Sequence, residues 1–212
     1  MEQELATVLR QVESLEAAHA CRNLMGRFVY YNATFRNPEI LPLWSAREDA
    51  AIEMPWGRYE GPEGVKDYLD EQGDRNDPNM AFALKGNMQI HELDSEIIEV
   101  AEDGRTAKGA WISPGIDTYV HNWAPIGEWR WCKYEVTFLC EDGQWKFWKM
   151  QLHPLYRTSY YTSWVKTEQK QPEDYPYKKA QAKQSPDWSY SPTAIYPANA
   201  PEPPVPYRTL DT

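Results

Sequence analysis

The chain has 212 residues and a formal net charge of −10, enough length for one domain with a real core and an appendage. Its acidic field, with no basic run to offset it, argues against nucleic acid and anionic membrane as partners, and no apolar run is long enough to span a bilayer. Cys21, Cys132 and Cys140 form no C-x-x-C pair; this fits a reducing compartment and argues against a zinc site. The N-terminus, MEQELATVLRQVESLE, lacks the basic-then-apolar shape of a signal peptide, so a cytoplasmic protein is expected.

Residues 2 to about 36 read as a long helix. Leu5, Val8, Leu9, Val12, Leu15, Met25, Phe28 and Val29 recur at helical spacing, and Asn37-Pro38 is the expected stop. Its second half, RNLMGRFVYYNATFRN, is too aromatic for a solvent-facing helix. A short helical piece in PEILPLWSA follows. Next come two short strands around a turn at Trp56-Gly57, and a helix starting near Pro62. After a polar loop over 74–79, the pattern turns extended from about Met80 to Val100. A turn at Asp103-Gly104 leads into a strand through Trp111. Ser113-Pro114-Gly115 is expected to interrupt that strand, and Asn122 to Gly127 reads as a loop.

The stretch from Glu128 to Tyr156 alternates with period two and breaks once, at Asp142-Gly143, which is the pattern of a long β-hairpin. A two- or four-residue loop there pairs Cys140 with Trp145 and Phe138 with Phe147. Continued regularly, it pairs Val136 with Lys149, Tyr134 with Gln151 and Cys132 with His153. One face then carries Cys132, Tyr134, Val136, Phe138, Trp145, Phe147, Gln151 and His153. The other carries Trp129, Trp131, Leu139, Trp148, Met150 and Leu152 among charged residues. Two readings stay open: a two-sided structural sheet, or a curved sheet whose first face lines a pocket. The Trp-rich second face, if uncovered, would join a homo-oligomer, dimer or trimer.

From residue 166 onward the chain holds most of its 17 prolines, interleaved with Tyr175, Tyr177, Trp188, Tyr190, Tyr196 and Tyr207. That composition fits either a disordered tail or an extended polyproline-like arm docked on protein surface. The aromatics favour the arm. Helices first and antiparallel strands after them make an α+β body over 1–165 and an arm over 166–212.

The order GRFVYYNA, W-G-x-Y-x-G-x-E-G-V-x-x-Y, HELDSEIIEVAEDGRTAKGAW and DGQWKFW resembles the nuclear-transport-factor-2-like superfamily in its SnoaL-like branch, over about residues 5–160. The resemblance implies a cone-shaped half-barrel: a strongly curved antiparallel sheet closed by N-terminal helices. It also implies cofactor-independent dehydratase or isomerase chemistry, or a noncatalytic binding or assembly module of the same fold. It points to His91 as the strand histidine, Asp117 as its partner acid, and Tyr30 or Tyr31 as the helix tyrosine. This chain departs from the pattern where a helix carboxylate is due, because YYNA offers Asn32 and Ala33.

A neutral imidazole suits proton abstraction beside a carbonyl at cellular pH, and a carboxylate on its far nitrogen would fix the tautomer. Tyr31, Asn32, Trp56, Trp111, Tyr134 and His153 are the candidate substrate-binding residues. His19 reads as a surface or packing residue and His121 as a gate or an exposed loop residue. No cofactor and no metal are expected. The substrate implied is a hydrophobic, ring-containing small molecule.

Overall fold

The computed structural model describes residues 1–166 (His121 by its backbone alone), 179–182, 190, 193 and 201–210. Helix α1 spans Glu2–Ala33. It ends three residues before the expected stop, because Phe35 already takes a left-handed φ of 54°. Two 3-10 turns, Asn37–Glu39 and Leu41–Leu43, lead to strands β1 (Ala51–Met54) and β2 (Gly57–Glu60). Helix α2 (Gly61–Glu71) follows with Pro62 in its first turn, and then a short α3 (Pro78–Ala81). α3 occupies the start of the stretch expected to be extended.

The remaining strands are β3 (Met88–His91), β4 (Asp94–Val100), β5 (Thr106–His121), β6 (Ala124–Glu141) and β7 (Gln144–Ser159). They form one sheet in the order β2-β1-β7-β6-β5-β3, with β4 also pairing β5. Among these strands, β1 and β7 alone pair in parallel, extended by a parallel bridge between Trp44 and Phe147. The sheet curls without closing, and α1 packs against β3, β4, β5 and β7, giving the half-cone that the resemblance implied.

Two expected interruptions do not occur. β5 runs unbroken through Ser113-Pro114-Gly115. Pro114 is tolerated because it sits where β5 exchanges one outer neighbour for another, between the β4 pairing that ends at Ile112 and the β3 pairing that starts at Gly115. Its carbonyl accepts the Glu92 N–H there at 2.9 Å, so its nitrogen also faces the junction, where no ladder donor is needed. The 122–127 loop shrinks to a turn at Asn122 and Trp123, both with positive φ, and β6 resumes at Ala124.

The hairpin turn is as read. Asp142 and Gly143 take φ of 50° and 75°, the pair of positive values that a two-residue primed turn requires. Cys140 pairs with Trp145 and Phe138 with Phe147. The register then slips: Thr137 pairs with Lys149, which leaves Trp148 as an extra residue in a bulge. A one-residue slip reverses every later side chain. Met150 and Leu152 therefore join the inner face, opposite Val136 and Tyr134, while Gln151 and His153 go to the outer one. A second bulge at Trp131/Cys132 leaves Leu155 extra. Both bulges lie on β7, and bulges of this kind bend a strand.

The core lies between the concave face and one side of α1. Cys21, Leu24, Met25 and Phe28 pack with Trp111, Tyr134, Val136, Phe138, Phe147 and Met150. Phe28 presents edges to Tyr134 and Phe147, with centroids 6.3 and 5.9 Å away. The Trp-rich outer face is partly covered by the chain itself: Trp131 stacks on Tyr156, Tyr156 on Trp164, and Trp129 on Tyr160.

Of the arm, Tyr175, Tyr177, Trp188 and Tyr196 lie outside the described residues. The described pieces touch the body. Residues 180–182 run beside β2, where Arg58 exchanges backbone hydrogen bonds with Ala182 and Gln181 at 2.8 and 2.9 Å, covering a strand edge that would otherwise be open. The Tyr207 hydroxyl lies 2.9 Å from Thr106 Oγ1. Leu210 packs on Ala50, Leu139 and Trp148.

Phe28 is 2% exposed and its ring ties α1 to both long hairpin strands. Phe28→Ala should destabilise the fold by about 3–5 kcal/mol, the usual cost of emptying such a site, measured as a lower urea midpoint at unchanged slope.

Candidate active site

Three neighbouring strands converge on one carboxylate. In the ladder, His91 of β3 and Arg130 of β6 lie on either side of Gly115 of β5. Residues opposite each other share a face, as do residues two apart. His91, Arg130 and Asp117 therefore all project from the concave side. His91 Nε2 lies 3.1 Å from Asp117 Oδ1, and Arg130 Nε lies 3.3 Å from Asp117 Oδ2. The His91 and Asp117 side chains are each only 10% exposed. Gly115 makes the approach possible: a Cβ there would sit 2.3 Å from His91 Cδ2, so any other residue would push the ring off the strand.

Burial alone would raise the Asp117 carboxyl. The Arg130 guanidinium, the hydrogen bond and charge of His91, and Arg157 outweigh it and hold the carboxyl down to about 2. An ionised carboxylate can only accept, so the His91 nitrogen facing it, Nε2, is the donor. In the neutral tautomer with Nε2 as donor, the lone pair lies on Nδ1.

A second ion pair flanks the first. Glu128 stands opposite Asp117 on β6. It pairs with Arg157 of β7 and accepts the Tyr119 hydroxyl at 3.3 Å. Deeper in the cone come the Ser113–Cys132 row and the Trp111–Tyr134 row. Burial pushes the Cys132 thiol up to about 12 and the Tyr134 phenol well above its ordinary value, so neither is ionised near neutral pH. The Ser113 hydroxyl is buried without a hydrogen-bond partner among the described residues. Beside β3 opens a cleft of about 730 Å³, lined by Phe35, Leu69, Gln72, Leu84 and Gln89 and also by the acids Asp70, Glu71, Asp74 and Asp77 with Lys179; His91 and Asp117 themselves do not line it. Gln89 is the ladder neighbour of Asp117. The buried Gln72 Nε2 has no hydrogen-bond partner among the described residues.

The other sequence candidates distribute differently. Tyr30 is 77% exposed and does not approach His91, because it faces outward from the end of α1. Tyr31 is half-buried with the Arg36 guanidinium over its ring at 4.9 Å. The Asn32 amide donates to Asn37 at 3.1 Å. Trp56 is buried on the β1–β2 turn, donating to the Tyr59 hydroxyl at 2.9 Å and stacking on Tyr68. Trp111 lines the inner face and donates to Glu96 at 3.1 Å; Tyr134 lines the same face. His153, expected on the pocket face, is on the convex side, where it meets Glu135 at 3.0 Å, because of the Trp148 bulge. His19 is exposed beside Asn23.

Arg130 was not singled out from the sequence, although the signal was present. The alternation that puts Cys132 and Tyr134 inside continues back to Arg130 and Glu128 once β6 is seen to begin at Ala124.

A curled, unclosed, mostly antiparallel sheet with N-terminal helices packed on it is the cone fold of nuclear-transport-factor-2-like proteins. Residues 13–151 match the SnoaL-like domain family, and the chain belongs to it, in the SnoaL-like branch of that superfamily. No curated protein matches the chain. Among solved structures, a candidate scytalone dehydratase from Novosphingobium aromaticivorans DSM 12444 is 19% identical with a TM-score of 0.54, over 70% of this chain and 91% of that one. A hexachlorocyclohexane dehydrochlorinase, LinA-type3 from Novosphingobium barchaimii LL02, is 18% identical with a TM-score of 0.56, over 72% and 96%. At such identities the likeness is one of fold. No helix among the described residues is long and apolar enough to cross a membrane.

A depressed carboxylate contributes stability that is complete above its unfolded pKa and is lost as pH falls through the folded one. For Asp117 that window runs from 3.8 down to about 2, and it corresponds to about 2 kcal/mol. Asp117→Asn should therefore flatten the loss of stability between those pH values, measured by urea unfolding across the range. A slope identical to wild type would show that Asp117 is not held as a buried anion.

Proposed function

We propose that this protein is a cofactor-independent acid–base lyase or isomerase, dehydratase-like, acting on a hydrophobic, ring-containing small molecule. The observation that carries the reading is the buried His91–Asp117 contact, with Arg130 on the second carboxylate oxygen. In the dehydration, His91 Nδ1 takes a proton from the carbon beside a carbonyl. The C–H electron pair becomes the new C=C bond, and the C–O bond to a β-hydroxyl breaks. The departing hydroxide takes the proton back from the imidazolium and leaves as water. In the isomerisation the same proton returns at another carbon.

Asp117 holds the ring in its Nε2–H tautomer and stabilises the imidazolium between the two proton transfers. Gln89, the ladder neighbour of Asp117, is an amide donor placed beside the pair and suited to a developing oxyanion. The dehydratase and dehydrochlorinase among proteins of similar fold support an elimination or isomerisation role.

A second reading, a noncatalytic binding or assembly module, is favoured by two specific departures. The helix carboxylate is replaced by Asn32 and Ala33, and Tyr30 points to solvent.

Proton exchange at the α-carbon separates the two readings without the true substrate in hand. With 2-tetralone in D₂O, followed by proton NMR, wild type should accelerate exchange. His91→Ala should lower that acceleration by roughly two to four powers of ten, and Asp117→Asn by less. Exchange by wild type no faster than by His91→Ala would remove the enzyme reading and leave the binding module.

A further inference from the structure

α1 has two apolar faces, and the body covers only one. Ala17, Cys21, Leu24, Met25 and Phe28 are the buried residues of the helix, all in its second half. Every residue from Met1 to Glu16 is exposed. Within that stretch Met1, Leu5, Val8, Val12 and Leu15 follow one another at spacings of four, three, four and three. They are 98%, 60%, 52%, 44% and 71% exposed. At about 100° per residue, this stripe points roughly 180° away from the mean direction of the body-facing residues. The stripe is therefore no continuation of the core seam. It is a separate 3.5-residue repeat on a half-helix about 24 Å long that stands clear of the body.

A single helix of that length is marginal in water, and the 4-3 repeat is the pattern that seats one helix against another. Because the body lies on the opposite side, a partner helix can lie along the stripe without meeting it. Covering the same stripe on two chains would remove on the order of 1,200 Å² from water, the lower end of a specific interface. Charges choose the direction. In a parallel pair Glu4 faces Leu9 of the other helix and Gln11 faces Glu16, with no like charges opposed. An antiparallel pair brings the acids at the two ends of the segment, Glu2 and Glu4 against Glu13 and Glu16, towards each other. Val12 followed by Leu15 suits two strands and Leu5 followed by Val8 is the reverse order, so the strand number rests on the short, two-heptad seam of two chains covering each other.

We propose that residues 1–15 of α1 form a parallel, two-stranded coiled coil with the same segment of a second copy of this chain. The two bodies then flank a central helix pair, joined through a surface separate from the Trp-rich sheet face.

Full-length protein should sediment as a dimer at micromolar concentration. The double substitution Leu5→Glu/Val12→Glu should halve the mass while circular dichroism shows a folded body, since neither side chain touches it. In a Cys140→Ser background, Val12→Cys should give a disulfide-linked dimer on oxidation, because identical seam positions face each other in a parallel pair within disulfide reach. Arg10→Cys, on the far side of the helix, should not. A monomeric wild type, a mass unchanged by the double substitution, or linkage through Arg10→Cys rather than Val12→Cys would overturn the proposal.

Discussion

The buried charge of Asp117 is the constraint on which the concave face turns. A carboxylate at that depth is stable only if its lone pairs are filled by donors and its charge is balanced. Two strands must each supply one partner, and they can do so only if the residue between them is small. Gly115 meets that requirement, and it requires the backbone of β5 to continue straight through the Pro114 junction. The exchange of β4 for β3 along β5 creates the place where a proline does no harm. It also brings the last residue of β3, His91, alongside Gly115. The packing of the edge strands and the chemistry of the site are thus set by the same few residues.

Curvature is the second determinant, and it comes from insertions of one residue. Trp148 and Leu155 are each extra on β7 relative to β6. Their effect on His91 and His153 differs in kind. His91 reaches the site across a regular antiparallel ladder. His153 would face the same cavity in a regular hairpin and is instead turned outward to Glu135. The bulge that bends the sheet around its core thereby leaves a single histidine, of the described ones, on the Asp117 side.

Much of this was legible in the sequence wherever the signal was local. The Asp-Gly turns, a helix stop within three residues of its true place, Pro62 at the head of α2 and the order of elements all follow from one or two residues and their backbone preferences. The pairing of His91 with Asp117 came from the resemblance. What failed was non-local. A bulge has no residue signature when its extra member is a tryptophan that packs well on the outer face, so the register beyond Phe138 could not be read. A proline inside a strand reads as a break unless the neighbouring strands are known to change there. Two apolar stripes on one helix look like a single pattern until the body is seen to cover only one of them. Tyr30 and Tyr31 could not be told apart by sequence, because neighbours on a helix differ by about 100°, and that angle decides between solvent and the edge of the core.

The absence of a helix carboxylate acquires a physical sense from the charge balance on the concave face. Asp117 is matched by Arg130 and Glu128 by Arg157, so with His91 neutral the cluster carries no net charge. A further carboxylate from α1 would have to be neutralised too, and Asn32 is instead engaged with Asn37. On the proposed mechanism a neutral substrate meets a cluster of no net charge around Asp117. The first proton transfer then creates one imidazolium and one oxyanion, close together and in low dielectric, where each stabilises the other more than water would. A substrate already bearing an anionic group would have to displace Asp117 or Glu128 from its arginine, breaking a partly buried ion pair at a cost of several kcal/mol. On the proposed mechanism, the arrangement that holds the base in its working tautomer is therefore also one that disfavours anionic substrates at Asp117 and Glu128, with no residue devoted to that purpose alone.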